Sequence, residues 1–170
     1  MNTRMITKVI GGTMVVAGTA AIVSILKNKR DHKRVLKKEN ELLEITESYV
    51  EHLELISKRG RDGWKEESPA EYNQNIFCRV NALGLSATVD FDGKRVVSEI
   101  ECKPSEKTGA EAYNLMLKLI ISAREYECIC DISHDGNEFE YNARLHMFNE
   151  SLRELETAVE SLKAHLNCFK

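Results

Sequence analysis

Proline is scarce. Pro69 and Pro104 are the only two in 170 residues, so most of the chain is open to long, uninterrupted elements. Cysteine is present without a framework. Cys78, Cys102, Cys128, Cys130 and Cys168 are an odd number with no regular spacing, which excludes a disulfide-stapled scaffold and fits a reducing compartment. Free thiols in apolar surroundings behave as small hydrophobes. No low-complexity tract occurs and 42% of residues are apolar, which excludes a wholly disordered chain. Net charge is only −3, too small a balance for a chain that binds polyanions over its whole surface. There is no glycine-rich phosphate loop, no G-x-S-x-G and no H-E-x-x-H. The nearest approach to a metal set is Cys128-x-Cys130 with His134 and His146, whose spacing is not that of the C-x2-4-C loops that hold zinc. No catalytic residue, cofactor, metal or small-molecule substrate is therefore assigned, and the expectation is a protein that is not an enzyme.

What is present begins with Val9 to Leu26, 18 residues without a charge. As a helix this run covers about 27 Å, close to a hydrocarbon core of about 30 Å. Seven basic residues follow at once: Lys27, Lys29, Arg30, Lys33, Arg34, Lys37 and Lys38, against the single acid Asp31. The pattern predicts a short tail over 1–8, a single transmembrane helix over 9–26, and a collar that binds the anionic lipid of an inner leaflet. The positive-inside rule then places residues 27–170 in the cytoplasm. A cleaved signal peptide is the rival reading, with Gly18-Thr19-Ala20 or Thr19-Ala20-Ala21 as the cleavage site. Against it, Ile22 to Leu26 continue the apolar run, and the collar resembles a stop-transfer flank. Thr13, Ala17 and Ala21 give a small-xxx-small face suited to helix packing. A basic run can also serve nucleic acid, but the rest of the chain is acidic, and no nucleic-acid partner is expected.

Residues 27–58 read as collar and helical stalk. Val35, Leu42, Ile45, Tyr49 and Ile56 keep a heptad-like spacing, widened by Leu36, Leu43, Val50 and Leu53. Glu39, Glu41, Glu44, Glu47, Glu51 and Glu54 make the later stalk acidic. Residues 59–75 read as a linker, with Trp64 either capping the core or anchoring a partner. Residues 76–170 read as a ββαββα domain. Ile76 to Val80 and Leu83 to Phe91 are apolar or alternating, Asp92-Gly93 is a hairpin signal, and Val96 to Cys102 return. A helix starts near Thr108. Cys128 to Ser133, Asp135-Gly136 and Glu138 to Met147 then repeat the hairpin, and Asn149 can cap a last helix. The seam Leu152, Leu155, Val159, Leu162 and Leu166 on that helix either covers the domain's own sheet or pairs with a second copy or a protein partner.

The expected fold class is α+β: a transmembrane helix and stalk, then a permuted ferredoxin-like antiparallel sheet with two helices. In its order of tail, anchor, stalk and domain the chain resembles the membrane-anchored alignment proteins of type IV pili and type II secretion systems. That resemblance implies an exported envelope or assembly component, with the domain periplasmic or extracellular. The collar implies the opposite side. The function expected from the residues is a membrane-anchored, non-enzymatic interaction or scaffold protein that presents a small domain at the cytoplasmic face.

Overall fold

The leucine seam starts earlier than Leu152. Tyr141, Phe148, Leu155 and Leu162 recur every seven residues, and Leu152, Val159 and Leu166 interleave with them. A 3-4 repeat of this length is the period of a helix that buries one stripe. In the computed structural model the whole stretch is one helix, α4 (Glu138–Asn167), and all seven of these residues are buried. The structure describes residues 3–67, 69–84, 86–88, 101–103 and 109–170, with side chains described over 27–67, 69–84 and 109–170. Before α4 come α1 (Thr3–Glu66), α2 (Pro69–Ala82), the short strands β1 (Ser86–Thr88) and β2 (Glu101–Lys103), and α3 (Ala110–Asp135). The chain divides into two compact units, Met1–Lys37 and Lys38–Lys170. In the first, α1 exposes all six of its collar residues, Lys27, Lys29, Arg30, Lys33, Arg34 and Lys37.

The second unit is a helical bundle, and its directions follow from its contacts. Arg61 near the end of α1 reaches Ser133 near the end of α3, so these two helices run parallel. Glu47 of α1 meets Lys163 of α4, and Glu39 meets His165, so α4 runs antiparallel to α1. Tyr49 of α1 meets Asn73 early in α2, and Lys38 lies against Gly84 just beyond α2, so α2 also runs back along α1. The result is an up-down-up-down order of four helices. Leu42, Ile45, Tyr49, Leu53 and Ile56 of α1 are all buried, as are Ile76, Phe77 and Val80 of α2 and Leu115, Met116, Leu119, Ile120, Tyr126 and Ile129 of α3.

This architecture overturns the α+β expectation. Ile76 to Val80 lie inside α2, Cys128 to Ser133 inside α3, and Glu138 to Met147 inside α4. Asn149 is an interior residue of α4, and the inferred repeat of hairpins does not exist there. Among the described residues the only strands are β1 and β2, an antiparallel pair with Ser86 opposite Lys103, Ala87 opposite Cys102 and Thr88 opposite Glu101. The Asp92-Gly93 turn lies outside the described residues. The second turn signal, Asp135-Gly136, is the joint between α3 and α4. Asn137 caps α4 by accepting the Glu140 amide at 2.9 Å, and Gly136 donates to the Ile132 carbonyl. A Cβ on Gly136 would lie 2.2 Å from Ile132 Cγ2, so the glycine serves a close approach and not a hairpin. With the sheet goes the resemblance to pilus alignment proteins, which rested on it.

The membrane reading is corrected as well. Among the described residues no helix is long and apolar enough to cross a membrane. Residues 9–26, on which the anchor expectation rested, belong to α1 but lie outside the described side chains. Neither the single-pass anchor, nor the membrane-tethered function, nor the cytoplasmic placement derived from it is retained.

One backbone feature shapes the core. α1 breaks at Gly60, whose φ of 67° and ψ of −151° fall in a region open essentially to glycine alone. The chain resumes as a helix and carries Arg61 and Trp64 inward. A Cβ on Gly60 would meet nothing within 4 Å, so Gly60→Ala tests conformation without a clash. The substitution is expected to cost about 1–3 kcal/mol, read as a lower urea midpoint with an unchanged m-value. A midpoint equal to the parent's would show that the turn does not need glycine.

Candidate functional site

Two places concentrate polar chemistry, one inside the bundle and one on its surface. Inside, Asn73 of α2 joins three helices. It accepts from the Tyr49 hydroxyl at 3.2 Å and donates to Glu127 Oε1 at 2.9 Å and to the Ala123 carbonyl at 3.5 Å. Burial pushes the Glu127 carboxyl upward, against the pull of the Asn73 hydrogen bond. Burial also pushes the neighbouring Cys130 thiol up to about 12 and the Tyr126 hydroxyl well above its usual range. His52, stacked on Tyr72 with ring centroids 3.7 Å apart, has its pKa lowered chiefly by burial. Each shift favours the neutral form, so this centre is a hydrogen-bonded, uncharged core. Its thiol is held away from the nucleophilic thiolate state.

Beside it, Arg61 closes the far end of α3. Its guanidinium donates to the carbonyls of Ser133 and Gly136 and lies over the Tyr141 ring, 4.9 Å from the centroid. A cation at a helix C-terminus is favourable. At the opposite end of the bundle Glu39 is 3% exposed, with one carboxylate oxygen 3.7 Å from His165 Nε2. His165 Nδ1 lies 4.0 Å from Glu111. These contacts tie α1, α3 and α4 together. Among the described residues no group of three or more His, Cys, Asp or Glu side chains is placed to hold a metal. Cys128 and Cys130 sit on one helix, half-buried and buried. His134 contacts the Cys130 carbonyl and His146 lies near Glu150.

The surface site lies between α1 and α4. A groove of about 460 Å³ is lined by Glu47, Val50, Glu51 and Glu54 on one lip and Glu156, Val159, Glu160 and Lys163 on the other. Both lips use the same i, i+3, i+4, i+7 spacing, which puts four side chains on one helix face. Five carboxylates thus flank a floor of two valines, and the lining itself supplies one ammonium. Lys163 Nζ lies 2.9 Å from Glu47 Oε1 and 2.8 Å from Glu160 Oε1. The hydrogen bond to Glu160, then that to Glu47, raises the Lys163 pKa. Lys58 lies 3.2 Å from Glu54. Among the described residues Glu51 and Glu156 make no ion pair. A second groove, between α3 and α4, holds Glu111, Lys118 and Glu154 with Asn114, Thr157 and Ser161. Lys118 pairs with Glu154 there, so its charges are mixed.

The sequence-predicted residues fall on different sides of this site. Leu152, Leu155, Val159, Leu162 and Leu166 are at most 8% exposed and are spent within the bundle, so the seam presents no face to a partner. Lys27, Lys29, Arg30, Lys33, Arg34, Lys37 and Lys38 are all exposed. The acids of the groove are visible in the sequence as two separate solvated faces. Their meeting is not, because it depends on how α1 and α4 pack. Arg61 and Asn73 carry no periodic signal in the sequence. No protein family, no curated protein and no solved structure matches the chain.

Proposed function

We propose that the chain is a non-enzymatic protein-interaction module whose acidic α1–α4 groove takes up a basic helical segment of a protein partner. The observation that carries this reading is the groove itself: five carboxylates around Val50 and Val159, offset by Lys163 within the lining and by Lys58 on Glu54 beside it. A helix laid between two helical lips is a recurrent mode of peptide recognition. The charges set selectivity and on-rate more than affinity. Exposed ion pairs contribute about 0.2–1 kcal/mol each, so binding in the range of about 1 μM to 1 mM is expected. The shifted groups of the core support a non-enzymatic role, since burial holds Glu127, Cys130 and Tyr126 in their neutral forms.

The test is fluorescence anisotropy of a labelled, lysine-rich helical peptide titrated with the full chain, with a glutamate-rich peptide as control. Glu51→Gln combined with Glu156→Gln is expected to weaken binding about tenfold without moving the thermal midpoint. Lys163→Gln is expected to strengthen it, because two carboxylates lose their internal partner. Equal affinity for both peptides, or no change in the double variant, would refute the proposal.

A further inference from the structure

We propose that the occupant of the groove is a second copy of this chain, docked through the basic face of residues 27–38. This inference rests on the groove being a site for basic helices. The segment is helical, as part of α1. At 100° per residue, Lys27, Arg30, Lys33, Arg34, Lys37 and Lys38 fall within an arc of about 140°, and all six are exposed. Arg30, Arg34 and Lys37 stand at i, i+4 and i+7, the spacing of Glu47, Glu51 and Glu54 on one lip of the groove. Each set extends about 10 Å along its axis, so three cations on one side of an entering helix can meet that lip. Those on its other flank can meet Glu156 and Glu160. The two arginines can also form forked, bidentate pairs with carboxylates.

The donor of the basic face is a different molecule. Lys38 and Glu47 are joined by unbroken helix. Each copy then offers one basic face and one acidic groove. Such a head-to-tail contact is heterologous and adds copies in a row unless the rotation closes a ring. Being made of exposed charges, it weakens as salt screens it.

Sedimentation velocity of the full chain tests this. At about 50 mM salt the weight-average sedimentation coefficient is expected to rise with protein concentration, and the association constant to fall at least tenfold by about 500 mM. Two neutralised variants separate the halves: Arg30→Gln/Arg34→Gln/Lys37→Gln, and Glu51→Gln/Glu156→Gln. Each alone is expected to remain monomeric. Mixed in equal amounts they retain one working face and one working groove, so dimers form and nothing larger. Wild-type monomer at low salt and high concentration overturns the inference, as does association that survives in either variant or in high salt. If the lysine-rich probe binds the groove while the chain stays monomeric, only the choice of partner fails. If the probe does not bind either, the groove reading fails with it.

Discussion

Trp64→Ala is expected to cost about 3–5 kcal/mol. Trp64 is fully buried and is carried into the core by the short helical turn after Gly60. Its ring meets Tyr126 at 5.5 Å and Phe148 edge-on at 4.9 Å. Aromatic pairs of this geometry add about 0.5–1.5 kcal/mol beyond the area they bury, and the cavity left by alanine opens where α1, α3 and α4 converge. Among the described residues the indole N–H has no hydrogen-bond partner, so Trp64→Phe forfeits volume but removes an unpaired donor. The phenylalanine variant should therefore keep well over half of what alanine loses. Thermal unfolding followed by circular dichroism gives both values. An alanine variant that unfolds within a degree or two of the parent would mean that Trp64 does not hold the three helices together.

Asn73→Ala is expected to cost about 2–6 kcal/mol, because it strands two buried groups at about 1–3 kcal/mol each. Tyr49 loses its acceptor and Glu127 loses its donor. The variant also changes the pH dependence. Burial raises the Glu127 pKa in the fold above its unfolded value, and Asn73 opposes that rise. A carboxyl with a raised folded pKa binds its proton more tightly in the fold. Its contribution is present below the unfolded carboxylate pKa and is lost as pH climbs through the raised folded value. Without Asn73 the folded pKa climbs further, so more stability should disappear than in the parent as pH rises from the unfolded carboxylate range through the raised folded value. Urea midpoints across that range measure the difference, and adding Glu127→Gln should flatten it. A slope identical to the parent's would show that Asn73 does not govern the carboxyl.

Much of the core was legible in the residues. Leu42, Ile45, Tyr49 and Ile56 were expected on one face of a helix, and all four are buried. The seam from Leu152 to Leu166 shows in its 3-4 spacing, and all five of its residues are buried. The error arose where two periods fit the same letters. Phe139, Tyr141, Ala143, Leu145 and Met147 alternate as a strand would, yet Phe139 is 83% exposed, and it is Tyr141 and Phe148 that face the core. Asp135-Gly136 is a turn signal in either context, and Asn137 with Glu140 completes a helix start that settles which one applies. Cys128 to Ser133 is rich in residues that suit strands, but Tyr126, Ile129, Cys130 and Ser133 follow the helical period and are buried. The groove was less legible. Glu47 and Glu51 stand more than 100 positions before Glu156 and Glu160, and no local pattern tells that two acidic faces come together.

The role of that groove is tested most directly by backbone chemical-shift mapping of the full chain during titration with the lysine-rich helical peptide. The expected result is a contiguous set of shifts at Val50, Glu51, Glu54, Glu156, Val159 and Glu160, lost in the Glu51→Gln/Glu156→Gln variant. Shifts centred instead on the exposed Phe139 and Met147 of α4, or no saturable shifts at low salt, would contradict it.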